Sequence, residues 1–445
     1  MPGLDHQQKK DTAKAMPKPA PLARHWRLDP GVVFLNHGSF GACPIEIQQA
    51  QQRHRDRVEA EAVSFFCRDL FPLLDRSRRA IAGMIGGKPE DYVFPPNATV
   101  AVATIIMNLE RGHGMLDDPR PLGPGDEILV NDHEYPACLN IVHDTARRTG
   151  ARVRTVEIPT VPQDGPMTPE RFHGMIMAGV TDRTRICLLS HITSPTGMIV
   201  PAAKLVRDLE ALGVVTILDG AHGPGAIPLD IDELHPAFYT ANCHKWLCTP
   251  KGAAILYVRP DLQEGFRPLA ISNYAEAPAG CKNRSMYNLE FDYTGTDDYT
   301  ARLTIADAID IMPTIAGAEW PGIIEHNRSL VMQARDVLLE ALGAQEPVDD
   351  RMIGPLAMVP LPEVEPDRRE RLKQRPTCYA DALQDALVER HGIQVPVWLP
   401  CAQLGGRPFD GRRFIRLSAQ LYNSPEQYRY LADALAEELA REMRL

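Results

Sequence analysis

Five strand-like apolar runs, most of them closing on polar residues, constrain this chain more than any other feature. They are DEILVND (126–132), ARVRTVEI (151–158), RICLLSHITSPTG (185–197), VVTILDGAHG (214–223) and AAILYVRP (253–260). The later runs are too continuous in Val, Ile and Leu to leave one face in water. Both faces must therefore be covered, which points to a mainly parallel sheet between layers of helices. Helical patterns separate the runs. Residues 44–85 read as helical, and Pro201 opens a helix with Leu205, Val206, Leu209 and Leu212 on one face. In such an α/β sheet, ligands collect where parallel strands end, at the carboxyl edge.

The length of 445 residues suits one large domain and a smaller one. Residues 1–24 are polar, with Lys and Pro but no apolar core of a secretion signal, and read as a disordered tail. Residues 25–45 hold a short strand and a Gly-rich turn (VVFLNHGSFGACP), expected to pack with the small domain. The large domain is assigned to 46–305. A smaller α+β domain, 306–445, closes on a helix whose start carries Ser424, Pro425 and Gln427 as N-cap, first-turn proline and capping-box partner. Tyr428, Leu431, Leu435 and Leu439 supply its apolar stripe. A net charge of −10 argues against a nucleic-acid binder. Nine scattered cysteines, without a CxxC pair, argue against a disulfide framework or a zinc site and for a reducing, cytoplasmic setting. No apolar run approaches the roughly 20 residues that span a bilayer.

The chemistry-bearing residues sit where the strands end. Asn97-Ala98-Thr99 opens a helix, and Asp132-His133-Glu134-Tyr135 follows the strand at 126–131. His191 to Thr196 follows the strand at 185–190, Asp219 and His222 follow the next, and Lys245 lies just before the strand at 253. Pyridoxal 5′-phosphate (PLP) calls for this set. A lysine amine binds its aldehyde, and a carboxylate keeps its ring nitrogen protonated so that the ring withdraws electrons. A helix N-terminus holds its phosphate, and an aromatic or imidazole ring stacks on its face.

In order along the chain, FLNHGSFGACP, PPNATVAVATIIMNL, NDHEYPACLN, LLSHITSPTGMIVP, ILDGAHGPG, NCHKWLCTPKG, YTGTDDYTA and RFIRLSAQLYN resemble class V aminotransferases, most of all their isopenicillin N epimerase-like branch. The resemblance spans residues 30–440; NCHKWLC…PKG together with ILDGAHG is its most specific part. It implies the PLP-dependent transferase fold (aspartate aminotransferase-like), with a large, mostly parallel seven-stranded sheet domain and a smaller C-terminal α+β domain. It implies Lys245 as the Schiff-base lysine and proton shuttle at Cα, and Asp219 at the pyridine nitrogen. His222 and Thr193 would lie near the phenolic oxygen, and His133 on the ring face. Ala98, Thr99, Asn242 and His244 would bind the phosphate, and Thr296 would reach the phosphate of a neighbouring protomer in a homodimer. Arg416 would clamp the substrate carboxylate, with Asn36 on the same side. Many relatives carry a hydroxyl residue where Asn242 stands; an amide can still donate to phosphate.

Each assignment has a plainer competitor. The competing reading of Lys245 is a surface lysine, of Asp219 an N-cap after a strand, and of His222 and His244 packed core histidines; the order of the motifs favours the functional reading of Lys245. Tyr135 competes with His133 for the ring, and either is a candidate second acid. Asn97 to Thr99 fits an ordinary helix cap, and Arg416, beside Arg412 and Arg413, a structural charge. Arg68 is a looser candidate for a second substrate carboxylate. Cys401, in Pro400-Cys401-Ala402-Gln403, resembles the persulfide cysteine of cysteine desulfurases, although its flanks do not. The pattern as a whole favours an epimerase-like enzyme acting at Cα of an amino acid or aminoacyl metabolite. A β-eliminating C–S lyase or cysteine desulfurase is the alternative, and a catalytically silent scaffold the reading outside enzymes.

Overall fold

The computed structural model describes residues 15–160, 165–400 and 409–444. Its large sheet has seven strands: β2 (Tyr92–Val93), β3 (Glu127–Asn131), β4 (Arg152–Val156), β5 (Thr184–Ser190), β6 (Val215–Asp219), β7 (Phe238–Asn242) and β8 (Ala254–Val258). They lie in the order β2-β8-β7-β6-β5-β3-β4. The run β7-β6-β5-β3-β4 is parallel throughout, whereas β8 pairs antiparallel with both β7 and β2. The mostly parallel seven-stranded sheet expected from the sequence is therefore the sheet observed. β8 reverses direction because residues 243–253 are too short for the crossover a parallel neighbour needs. Strand β7 was not among the runs read from sequence. It is short, follows Pro236, and has Thr240 and Asn242 interrupting its apolar residues.

Helices cover both faces, so β3, β6 and β8 are buried along their whole length. The helix after Pro201 spans Ala202–Glu210 and buries Leu205, Val206 and Leu209. Leu212, expected on the same face, lies beyond the helix end and is exposed. The chain has turned there towards Gly213, whose φ is +73°. The helical stretch expected at 44–85 is broken at Glu61 (φ −148°), giving Ile45–Ala60 and Leu70–Ile85 with a π-helical turn, Phe65–Asp69, between them. No helix among the described residues is long and apolar enough to cross a membrane.

The C-terminal part holds a three-stranded antiparallel sheet of β9 (Leu356–Pro360), β11 (Val397–Trp398) and β12 (Phe414–Ser418), in the order β11-β12-β9. The last helix, Pro425–Glu442, begins with the capping box read from sequence, and its Tyr428, Leu431 and Leu435 are buried. The expected domain boundary at 305/306 falls inside the helix Thr300–Ala316.

The N-terminal segment joins the two parts. Its strand β1 (Val33–Phe34) pairs in parallel with β10 (Ile393–Gln394). Residues 15–24 depart from the expected tail: Pro21–His25 form a 3₁₀ turn, Ala20 N–H donates to the Tyr422 carbonyl, and Ser424 Oγ donates to the Lys18 carbonyl. These backbone pairings tie a polar segment down without needing apolar side chains. The turn 36–41 is then pressed against the loop that carries Lys245. At Gly41 (φ +68°) a Cβ would lie 1.9 Å from the His244 carbonyl oxygen. Gly41→Ala therefore combines a strained backbone with a clash against main chain. We expect it to lower the unfolding free energy by about 2–4 kcal/mol, read as a lower urea midpoint.

Candidate active site

Parallel strands β3, β5, β6 and β7 deliver their carboxyl ends to one edge of the sheet, and the chemistry-bearing residues gather there. Lys245 sits in the turn after β7. Its side chain is buried, and Nζ lies 3.0 Å from His222 Nε2. Loss of hydration holds the amine well below its ordinary basicity, at about 7, and the Arg416 cation pushes the same way. Its carbonyl accepts a hydrogen bond from His37 Nε2 (2.9 Å), whose Nδ1 meets the Tyr422 hydroxyl at 2.9 Å. The peptide of the lysine is thus fixed from the N-terminal segment and from the small domain together.

Asp219 ends β6. One carboxylate oxygen accepts the Ala221 N–H (2.9 Å), and the other faces the Cys138 thiol at 3.5 Å. Burial raises its proton affinity. Behind it lies Glu134, held by Asn131 Nδ2 and the Ser190 hydroxyl. Burial first, and the neighbouring Asp219 charge, push the Glu134 carboxyl up to about 8.

Arg416 lies on β12 and is buried. Its guanidinium donates to the Ser194 carbonyl, to Ser39 Oγ (2.9 Å) and to Asn36 Oδ1 (3.3 Å), while Nε has no partner. Desolvation lowers its pKa to about 10. Among the described residues no carboxylate forms an ion pair with Arg416, and neither Lys245 nor Asp219 has an ion-pair partner. Buried charges are normally paired. Three that form no ion pair, close enough that Arg416 and Asp219 both act on Lys245, mark a place for a ligand that brings the opposite charges.

The helix Ala98–Glu110 starts at the same edge. Asn97 caps it by accepting the Val100 N–H (2.9 Å), and Asn242 Oδ1 accepts the Ala98 N–H (2.9 Å). Asn242 therefore ties the end of β7 to the helix N-terminus, with Thr99 in the first turn. His244 Nδ1 is buried without a partner, and burial lowers the imidazole to about 4.

His133 is fully buried. Nε2 lies 3.0 Å from the Ile158 carbonyl, which can only accept, so Nε2 carries the proton. Nδ1 then accepts from Thr196 Oγ1 (3.0 Å), which is 2.7 Å from Thr193 Oγ1. Both nitrogens are engaged and burial holds the ring at about 4, so the ring face is what His133 can offer. The Thr193 hydroxyl also accepts the Met198 N–H (2.9 Å), closing the turn 193–198.

Other expected residues lie apart. Tyr135 is 45% exposed at the start of the helix Pro136–Thr149. Arg68 is exposed on the π turn and makes no hydrogen bond to the Lys245 cluster among the described residues. Thr296 is exposed, with its hydroxyl 3.0 Å from Tyr293. Cys401 lies outside the described residues. Cys138, Glu134, His37, Ser39 and Trp246 were not singled out from sequence. Trp246 stands inside NCHKWLC, Glu134 and Cys138 inside NDHEYPACLN, and His37 and Ser39 inside FLNHGSFGACP; the motifs were a signal, but which of their residues meet at the site was not.

The groups present fit PLP. A buried amine of lowered basicity suits its aldehyde, and a buried unpaired carboxylate suits its protonated ring nitrogen. A helix N-terminus suits its phosphate, whose charge would raise the proton affinity of the partnerless His244 Nδ1 and turn it into a donor.

The family model for "Aminotransferase class-V" matches residues 59–431. The chain is 31% identical to isopenicillin N epimerase of Streptomyces clavuligerus over 419 residues, which cover 92% of this chain and 95% of that protein. It is 27% identical to a probable chloroplastic L-cysteine desulfhydrase of Arabidopsis thaliana over 418 residues, covering 92% and 83%. Among solved structures, a C-DES variant with glycine covalently linked to its PLP cofactor superimposes with a TM-score of 0.70 at 20% identity, covering 93% of this chain and 99% of that one.

Acylation of Lys245 in cofactor-free protein should rise with pH through about 7, because only the unprotonated amine reacts. Arg416→Met removes a repelling cation, so the midpoint should move to higher pH. The same variant should weaken binding of a carboxylate substrate at least about 30-fold, the equivalent of about 2 kcal/mol.

Proposed function

Because the chain belongs to the class V aminotransferase family, we propose that it is an epimerase-like enzyme that removes and returns the proton at Cα of an amino acid or of the aminoacyl end of a small metabolite. Its cofactor is pyridoxal 5′-phosphate, and it is an enzyme of the isomerase or lyase type. When bound, PLP supplies an electron-withdrawing ring that makes the Cα–H bond acidic.

The residues divide the remaining work. Asp219 would face the ring nitrogen and keep it protonated, and His133 would present its ring face. His222 and Thr193 would lie on the side of the phenolic oxygen. Ala98, Thr99, Asn242 and His244 would hold the phosphate. Arg416, with Asn36 beside it, would bind the α-carboxylate and so orient Cα. Lys245 would take the Cα proton, for which an amine poised near 7 is well matched at neutral pH. The observation that carries this reading is the unpaired Arg416 guanidinium beside a buried, weakly basic Lys245: a carboxylate anchor next to a base. The choice of epimerisation among Cα reactions follows the likeness to isopenicillin N epimerase.

A homodimer belongs to the same reading, with Thr296 reaching the phosphate of the neighbouring site. Its exposure leaves the hydroxyl available to a second copy. The relatives named L-cysteine desulfhydrase favour a second reading, β-elimination of a sulfur substituent from the same site.

Two measurements separate these outcomes. Lys245→Ala should abolish the visible absorbance of the cofactor-loaded protein and lower turnover by about 10²-fold or more. Wild-type enzyme in D₂O should place deuterium at Cα of its substrate without releasing pyruvate or sulfide. Release of either would replace the epimerase with the lyase. A protein that stays colourless with PLP would end both.

A further inference from the structure

Trp246 follows Lys245 directly in the chain and has no place in the roles given above. It is almost fully buried, and its indole Nε1 lies 3.2 Å from His222 Nδ1. We propose that Trp246 is a positioning residue that fixes His222 with its proton on Nε2, so that His222 donates to the Lys245 amine and holds it as a free base aimed into the site. The proposal rests on the reading of Lys245 as the cofactor-binding lysine and goes on to say what keeps that amine ready.

The geometry leaves one assignment. An indole N–H can only donate. His222 Nδ1 must therefore accept, and in a neutral imidazole the proton then sits on Nε2. That N–H points along the 3.0 Å contact to Lys245 Nζ. A free amine has a lone pair to receive it, whereas an ammonium has none and would set donor against donor. Trp246 thus biases the protonation of the Lys245 amine through His222.

The indole has little freedom to do otherwise. Its ring packs against His37, with centroids 4.9 Å apart. A Cβ at Gly225 would lie 2.8 Å from the Trp246 carbonyl oxygen. The Lys245 carbonyl is held by His37. The main chain on both sides of the Lys245–Trp246 peptide is therefore fixed, and with it the direction of the indole N–H.

Other charges act on the same pair. Lys245 feels Arg416, Asp219 and Cys138, and His222 feels Lys245, Arg416, His37 and His244. Arg416 opposes protonation of Lys245 and Asp219 favours it. Neither depends on Trp246, so a Trp246 substitution isolates the hydrogen-bond effect.

The test uses the full-length chain carrying ¹⁵N-labelled histidine, with the His222 signal identified by its loss in His222→Gln. Nitrogen–proton correlations in the wild type should show a neutral His222 with its proton on Nε2. Trp246→Phe keeps a ring and removes the N–H. It should mix the two tautomers and raise the midpoint for acylation of Lys245 by about one pH unit, a tenfold change in amine basicity. A purely structural tryptophan would lower stability while leaving tautomer and midpoint unchanged, and that result overturns the proposal. Should Trp246→Phe fail to fold, the wild-type spectrum still decides: a proton on Nδ1, or a doubly protonated ring at neutral pH, overturns it. Borohydride trapping of PLP on wild-type protein tests the underlying reading separately. Trapping at Lys245 with an Nδ1-protonated His222 defeats the proposal alone, and trapping elsewhere defeats the reading of Lys245.

Discussion

Everything at the site depends on strands that run the same way. A parallel stretch of sheet lays β3, β5, β6 and β7 side by side in one direction and sends each of their carboxyl ends to a common edge. His133, the turn 193–198, Asp219 and Lys245 belong to separate stretches of sequence, yet each lies at or just beyond the end of a strand. An antiparallel sheet would have sent half of them to the far side. Apolar burial on both faces makes the platform stiff, and the polar residues beyond its edge inherit that stiffness.

The platform also has to hold groups that burial disfavours. Lys245, Asp219 and Arg416 are removed from water without forming an ion pair, and burial is the largest influence on each. The amine becomes less basic, the acid weaker, and the guanidinium easier to deprotonate. A fold selected for stability alone would have replaced them with apolar residues. Their retention fits a site whose charges are completed by what binds there. The hydrogen bonds around them serve direction more than energy. Ser39 and Asn36 aim Arg416, Ala221 aims Asp219, and His37 fixes the main chain at Lys245.

The legible part of the sequence was the part governed by short-range rules. Continuous Val, Ile and Leu runs gave away the buried strands, and Ser424, Pro425 and Gln427 gave away the last helix. Asp219 and Lys245 could be found because each follows a strand within a dense motif. The rest depended on contacts between distant stretches. Cys138 meets Asp219 from a helix 81 residues earlier, and His37 reaches the Lys245 carbonyl across 208 residues. Both lie inside motifs read from the sequence, but nothing local shows which distant group either one meets. β7 escaped notice because polar residues interrupt a strand of only five. Residues 15–24 are held by backbone hydrogen bonds, which composition does not report. His133 was expected at the ring face; its engaged nitrogens follow from Thr196 and Ile158, which only the folded chain brings near.

The pairing of β1 with β10, and the link from Asn36 to Arg416 across 380 residues, have a consequence for how the protein is made. Residues 33–36 cannot take their place until the segments around 393 and 416 are there to pair with them. Closing so long a loop comes late, because its entropy must be met before any contact rewards it. A partly folded chain can therefore carry Lys245 before Arg416 and the turn 36–41 have closed around it. The buried amine of Lys245 and the guanidinium beside it therefore reach their final surroundings together, late in folding.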